Sequence, residues 1–192
     1  MSKMSKTKSK SSTNAITSLK ADHQKVKGLF DEFEKANDRV TKMTIVSEGL
    51  EELSLHATLE EEIFYPAVRQ AIDDEDGVMN EADEEHHVAK ILIAELEEMD
   101  GNESHYDAKF TVLAENVRHH IKEEEENMFP NAQKTEIDFD ALGEEMLGRK
   151  DELLSEGVPV TDEADMVATS EGHGDSPAET STQTATPAKK RA

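Results

Sequence analysis

From about Asn14 to Lys134, apolar residues recur every three or four positions between charged ones, the period of helices with one buried face. A first helix is predicted from about Asn14 to Asn37, with the stripe Ile16, Leu19, Val26, Leu29, Phe30 and Phe33. A second runs from about Thr41 to Ile72 on Ile45, Val46, Leu50, Leu53, Leu59, Ile63, Phe64 and Val68. The acidic turn Asp73 to Gly77 follows, then a third helix from about Val78 to Met99 that stops at Asp100-Gly101-Asn102. A fourth spans about Glu103 to Lys134, and no segment alternates as a strand would. Long helices joined by short turns favour antiparallel neighbours. The expected fold is all-α, an antiparallel up-down four-helix bundle over residues 14–134. Residues 135–156 hold a short accessory helix, about Phe139 to Leu154, placed to pack across the bundle. Residues 1–13, rich in Ser, Lys and Thr, read as a disordered basic N-terminus, and 157–192 as a disordered acidic tail ending in Lys189-Lys190-Arg191.

Composition narrows the chemistry. There is no Cys, so thiolate zinc sites, iron–sulfur clusters and disulfides are excluded, and any metal must use His, carboxylate or backbone oxygen. The net charge of −23 opposes a phosphate backbone, so no nucleic acid is expected as a partner. No apolar run approaches a membrane span, and the N-terminus lacks the apolar stretch of a signal peptide; a cytoplasmic monomer or weak homo-oligomer is the expectation.

The strongest signal is an internal repeat. His56-Ala57-Thr58-Leu59-Glu60-Glu61-Glu62-Ile63-Phe64-Tyr65-Pro66 aligns with His120-Ile121-Lys122-Glu123-Glu124-Glu125-Glu126-Asn127-Met128-Phe129-Pro130 at a constant offset of 64. Upstream, Asp22-His23 and Leu29-Phe30 align with Glu85-His86 and Leu92-Ile93 at an offset of 63. Each half is a helix carrying a lone His followed by a helix carrying His-x-x-x-Glu. Residues four apart share a helix face, so His56 points with Glu60 and His120 with Glu124. With His23 and His86 this gives four imidazoles and two carboxylates from four helices, aimed at the bundle core where such metal sites are built. Bare carboxylates there would cost several kcal/mol each, which a metal offsets. His23 shares its stripe with Val26, Phe30 and Phe33, and His86 with Ala89, Ile93 and Leu96; His87 sits on the poorer face of Ile91, Ala94 and Glu98. His119 lies about 100° round the helix from His120, and His105 and His173 have no partners in the pattern. Glu61 and Glu125 are the candidates for outer-sphere or substitute ligands.

A ferritin-like site needs Glu-x-x-His on two helices, and only Glu84-x-x-His87 is available. An EF-hand loop counted back from Gly77 would begin at Ile72, which is no ligand. Mixed His and carboxylate donors suit iron or manganese better than zinc.

The pattern resembles the hemerythrin-like (HHE cation-binding) family, whose compact bacterial members carry H…HxxxE…H…HxxxE; the likeness covers about residues 18–134. It implies a bundle enclosing two non-haem irons, with His23 and His56 on one, His86 and His120 on the other, and Glu60 and Glu124 bridging. Oxygen-carrying hemerythrins have a second His one turn after the third-helix ligand. Here that position is Lys90, so the centre has four histidines and more open coordination positions. Reaction with, or sensing of, O₂, peroxide or nitric oxide in stress defence fits this better than reversible oxygen storage; an oxygen- or iron-binding module without turnover is the alternative. Tyr65 is either an extra ligand or redox partner, or an aromatic packed beside a helix-kinking proline.

Overall fold

The structure is a computed structural model that describes residues 14–73, 77–159 and 163. The disorder expected for 1–13 and for most of 157–192 lies outside the described residues, as does most of the acidic turn. Among the described residues the chain is all-α: α1 (Ala15–Lys35), α2 (Arg39–Leu59), α3 (Tyr65–Ala71), α4 (Val78–Glu97), α5 (Tyr106–Glu123), α6 (Phe129–Ala132) and α7 (Phe139–Glu156). α2 and α3 form one rod through a π-helical turn at Glu60–Phe64, and α5 and α6 another through a π-helical turn at Glu124–Met128.

These two wide turns are the main departure from the expected uninterrupted helices. Pro66 and Pro130 follow them, and a proline lacks the N–H for an α-helical bond and clashes with the carbonyl four residues back. The chain widens instead: the Tyr65 N–H bonds the Glu60 carbonyl five residues earlier, and the Phe129 N–H bonds that of Glu124. Two boundaries also shift. α2 starts at Arg39 because the Asp38 carboxylate accepts the Thr41 N–H at 2.9 Å and caps it there. α5 starts at Tyr106 because Asp100 and Glu103 serve a tight turn: the Asn102 N–H bonds Asp100 Oδ1 at 2.7 Å, and the Asp100 N–H bonds Glu103 Oε1 at 3.1 Å.

α1 packs on α2, α2 on α4, α4 on α5, and α5 on α1, closing a ring of four rods; α7 lies across α1, α2 and the first π turn. Its docking is reinforced by Lys150 on Asp22 (2.9 Å) and Arg149 on Glu62 (2.7 Å). Two apolar clusters fill the ring. One holds Val26, Phe30, Phe33, Leu53, Ile93, Phe110 and Ile121; the other holds Leu19, Leu59, Phe64, Met79, Met128 and Phe129. Along each rod the changeover between them falls at one His-bearing turn: His23, His56, His86 and His120. Each large side chain buried in these clusters contributes about 1.5–3 kcal/mol, which supports a polar layer sandwiched between them.

Candidate metal centre

The polar layer contains the six residues singled out by the repeat. His23, His56, Glu60, His86, His120 and Glu124 are all buried, the most exposed of them at 7%. Each π turn begins on the layer's carboxylate. The wide turn after Glu60 keeps Phe64 and Tyr65 inward as well, and the turn after Glu124 does the same for Met128 and Phe129.

Within the layer two groups of donor atoms lie close enough to share a cation; a third, Glu81, His119 and Glu123, lies at the surface away from it. His23, His56, Glu60 and Glu124 form one; Glu60, His86 and His120 form the other, with Glu60 common to both. His23 Nε2 is 3.2 Å from Glu124 Oε2, and His56 Nε2 is 3.2 Å from Glu60 Oε2. His86 Nε2 is 3.4 Å from Glu60 Oε2, and His120 Nε2 is 3.6 Å from Glu124 Oε2. All four rings thus turn Nε2 inward.

Their Nδ1 atoms turn outward onto acids. Nδ1 of His23 meets Glu125 at 3.0 Å, that of His86 meets Glu61 at 2.9 Å, and that of His120 meets Glu85 at 2.8 Å. His56 Nδ1 faces Asp22 at a longer 3.9 Å. A carboxylate on Nδ1 fixes the tautomer that leaves the Nε2 lone pair free for a metal. Glu61 and Glu125 therefore stand outside the layer, backing histidines. Asp22 and Glu85 were not anticipated in that role, yet the repeat held the signal, since each directly precedes an aligned His and they sit 63 apart.

The electrostatics call for positive charge. Burial opposes the charged form of His56, but Glu60, Asp22 and Glu124 outweigh it and hold its pKa near 10. Burial likewise opposes the charge on His86, and Glu60 and Glu61 raise its pKa to about 9. Burial would raise the Glu60 carboxyl, yet His56 and His86 hold it well below the usual range. Protons thus occupy the role a cation would take, and a bound cation would displace them.

Tyr65 enters the layer rather than merely packing beside it. Its hydroxyl lies 3.0 Å from Glu124 Oε1, 3.1 Å from His86 Nε2 and 3.3 Å from His120 Nε2. Burial, then Glu124 and Glu60, push its pKa well above normal, so it is a neutral phenol beside the carboxylates. Phe129, its counterpart in the repeat, stacks on His23 instead, with centroids 5.8 Å apart and planes 8° apart. Lys90 bonds Glu61 at 2.9 Å, as Lys27 bonds Glu125 at 3.2 Å.

The other histidines lie elsewhere. His87 is half-exposed and bonds Glu163 at 2.8 Å, and Glu84 is exposed, so the Glu-x-x-His pair points away from the layer. His119 faces outward near Glu85 and Glu123, and His105 is exposed at the start of α5. His173 is outside the described residues.

The hemerythrin HHE cation-binding domain matches residues 14–132. The chain belongs to this family. It is 29% identical over 114 residues to an uncharacterised hemerythrin-like protein of Schizosaccharomyces pombe, a match covering 59% of this chain and 56% of that protein. It is 28% identical over 111 residues to a DNA nickase of Nostoc, covering 58% of this chain and 31% of that protein. The match thus spans about half and about a third of these relatives' own lengths. Among solved structures it is similar to a hemerythrin HHE cation-binding-domain protein of Mycobacterium kansasii, with a TM-score of 0.62, 22% identity, and coverage of 84% of this chain and 94% of the other. That likeness concerns the fold. A hemerythrin-like domain with His and Glu groups able to bind metal is thereby established. Among the described residues, no helix is long and apolar enough to cross a membrane.

Proposed function

We propose that the protein is a non-haem di-iron protein whose centre reacts with or senses O₂, peroxide or nitric oxide. In this reading His23 and His56 serve one iron, His86 and His120 the other, and Glu60 and Glu124 are shared. The observation that carries it is the convergence of four imidazole Nε2 atoms and two carboxylates in one buried layer. Four of those atoms, His23 Nε2, His56 Nε2, Glu60 Oε1 and Glu124 Oε2, make no well-formed hydrogen bond; His23 Nε2 with Glu124, and His56 Nε2 with Glu60, have ion-pair contacts at 3.2 Å alone. A buried polar atom left unpaired costs about 1–3 kcal/mol, and metal ions satisfy all four at once. Sulfur-free His and carboxylate donors favour iron or manganese over zinc, and the family resemblance favours iron.

Bound iron would supply open coordination positions for a small ligand. The chain's own residues shape what reaches them. A cavity of about 30 Å³ adjoins the four histidines and is bounded on its far side by Val26, Leu53, Ile93, Val117 and Ile121. That is roughly the space of one water molecule, a size that suits diatomics and peroxide. Lys90, engaged with Glu61, adds no ligand to the His86 side. Tyr65 holds a hydroxyl proton at the Glu124 carboxylate on that same side. With a net charge of −23, the partner is a small molecule and not a nucleic acid.

Metal analysis with an optical spectrum of the oxidised protein tests this. Two irons per chain and an oxo-bridged di-ferric band are expected, and His120→Ala should lose at least one iron. No metal after anaerobic iron loading would end the proposal. Turnover of hydrogen peroxide would mark a reactive centre, whereas reversible oxygenation without turnover would mark a binding module.

A further inference from the structure

The centre is built from two repeated halves, but the two flanks of the bundle beside it are not alike. On the α2/α4 flank lies a groove of about 160 Å³, with Ser54, Ala57, Lys90, Ile93, Val158 and Pro159 among its lining residues. Three of these residues, Ala57, Lys90 and Ile93, also line the 30 Å³ cavity beside the histidines. Groove and cavity are therefore separated by one layer of side chains, two of them small or flexible.

The repeat supplies the comparison on the α1/α5 flank. Ala57 corresponds to Ile121 and Ser54 to Arg118 at the offset of 64; Ile93 corresponds to Phe30 at the offset of 63. Each replacement is larger. Ile121 and Phe30 are buried, at 3% and 1% exposure. The Arg118 guanidinium sits over the Phe30 ring, 5.4 Å from its centroid, and is fixed by Asp31 and Glu34 at 2.8 Å each. An Arg clamped over an aromatic ring by two carboxylates is a well-anchored plug. On the other flank the residue at that position of the repeat is Ser54, a far smaller side chain among the described residues beside Ala57.

We infer that small ligands reach the centre through the α2/α4 flank, past Ala57, Ile93 and Lys90, while Phe30, Arg118 and Ile121 seal the repeat-related α1/α5 flank. Lys90 lines both the groove and the cavity. Its side chain is 19% exposed with the ammonium held by Glu61, and of the residues shared by groove and cavity it is the charged one. The inference rests on the di-iron reading, because it concerns access to that centre.

The sealed flank also suggests how to block the open one. Ser54→Arg would place a guanidinium where Arg118 sits in the other half, with Glu97 standing in for Glu34. Ala57→Ile would copy Ile121. The measurement is stopped-flow association of nitric oxide with the ferrous-loaded full chain, after iron content and circular dichroism are matched to the parent. Each variant is expected to slow association by about tenfold or more, the effect of about 1.4 kcal/mol of added barrier. Ser54 is a half-buried groove position that lines the groove and not the cavity beside the histidines, so its variant tests the route independently of Ala57→Ile. Unchanged rates in iron-loaded Ser54→Arg overturn the route and leave the metal reading standing. Slowing by Ala89→Leu but not by Ser54→Arg moves entry to the gap between α4 and α5 and also overturns it. A chain that takes up no iron overturns both readings.

Discussion

Replacing Glu85 by Gln tests whether the outer carboxylates work as the geometry indicates. Glu85 accepts from His120 Nδ1 at 2.8 Å and is 20% exposed, the shortest of the four such contacts. Gln keeps an acceptor oxygen there but removes the charge. Hydrogen bonds to charged groups contribute about 1.5–3 kcal/mol and neutral ones about 0.5–1.5, so the loss is about 1–1.5 kcal/mol. At about 1.4 kcal/mol per tenfold, iron affinity should fall about five- to tenfold. Glu85→Ala removes the bond entirely and should reach the range of about 10–100-fold seen for such partners. Asp22 provides the internal control. It stands 3.9 Å from His56 Nδ1 and is already engaged by Lys150 at 2.9 Å, so Asp22→Asn should weaken binding by less than Glu85→Gln. The assay is anaerobic competition for ferrous ion against a chelator of known affinity, with helicity monitored in parallel. Equal losses from Asp22→Asn and Glu85→Gln, or none from either, would refute the idea that Nδ1 contacts tune the metal ligands.

Two packing predictions follow from the apolar cluster above the centre. Phe110 is fully buried, with its ring 5.7 Å from that of Phe30 and 4.6 Å from that of Phe33, and Phe110→Ala should cost about 3–5 kcal/mol in urea unfolding. A loss under about 1 kcal/mol would mean that the cluster collapses around the gap. Gly101 holds φ +83°, and a Cβ there would lie 2.8 Å from the Met43 side chain. Gly101→Ala should therefore lower stability by about 1–2 kcal/mol, read from the same unfolding curves; no change would mean that the turn before α5 relaxes freely.

Much of this architecture is legible in the sequence for one reason: duplication. A single His on an acidic helix carries little information, but His56 and Glu60 repeated as His120 and Glu124 fix which face is inward. The apolar stripes place the same faces independently, which is why His86 is buried and His87 half-exposed. Three features were not legible. The π turns arise because Pro66 and Pro130 cannot join an α ladder, and apolar periodicity is insensitive to one wide turn. The backing roles of Asp22 and Glu85 depend on helix-to-helix registry, which spacing within one helix does not encode. The depth of Tyr65 depends on the π turn, since five residues separate it from Glu60 where an α-helix would require three or four to share a face.

Tyr65 is also where the two halves diverge most at the centre, which permits a sharper experiment than deletion. Its partners Glu124, His86 and His120 correspond through the repeat to Glu60, His23 and His56, and of these His23 stacks on Phe129. Glu60 Oε1 and His23 Nε2 are among the buried atoms that make no well-formed hydrogen bond. The repeat predicts that a hydroxyl added by Phe129→Tyr meets Glu60 and His23 as the Tyr65 hydroxyl meets Glu124 and His86. Tyr65→Phe alone should retain both irons, because all six proposed ligands remain, but should shift the optical spectrum of the oxidised centre. The double variant Tyr65→Phe/Phe129→Tyr should also retain both irons and recover a spectrum closer to the parent, with the phenol moved to the His23 side. The logic is that a bundle made of two like halves should tolerate exchange of what distinguishes them, provided each side offers the same donors. If Tyr65→Phe leaves the spectrum untouched, the hydroxyl does not act on the centre. If the double variant loses iron while the single one keeps it, the two sides are not equivalent, and sequence repetition is then no guide to the function of either half.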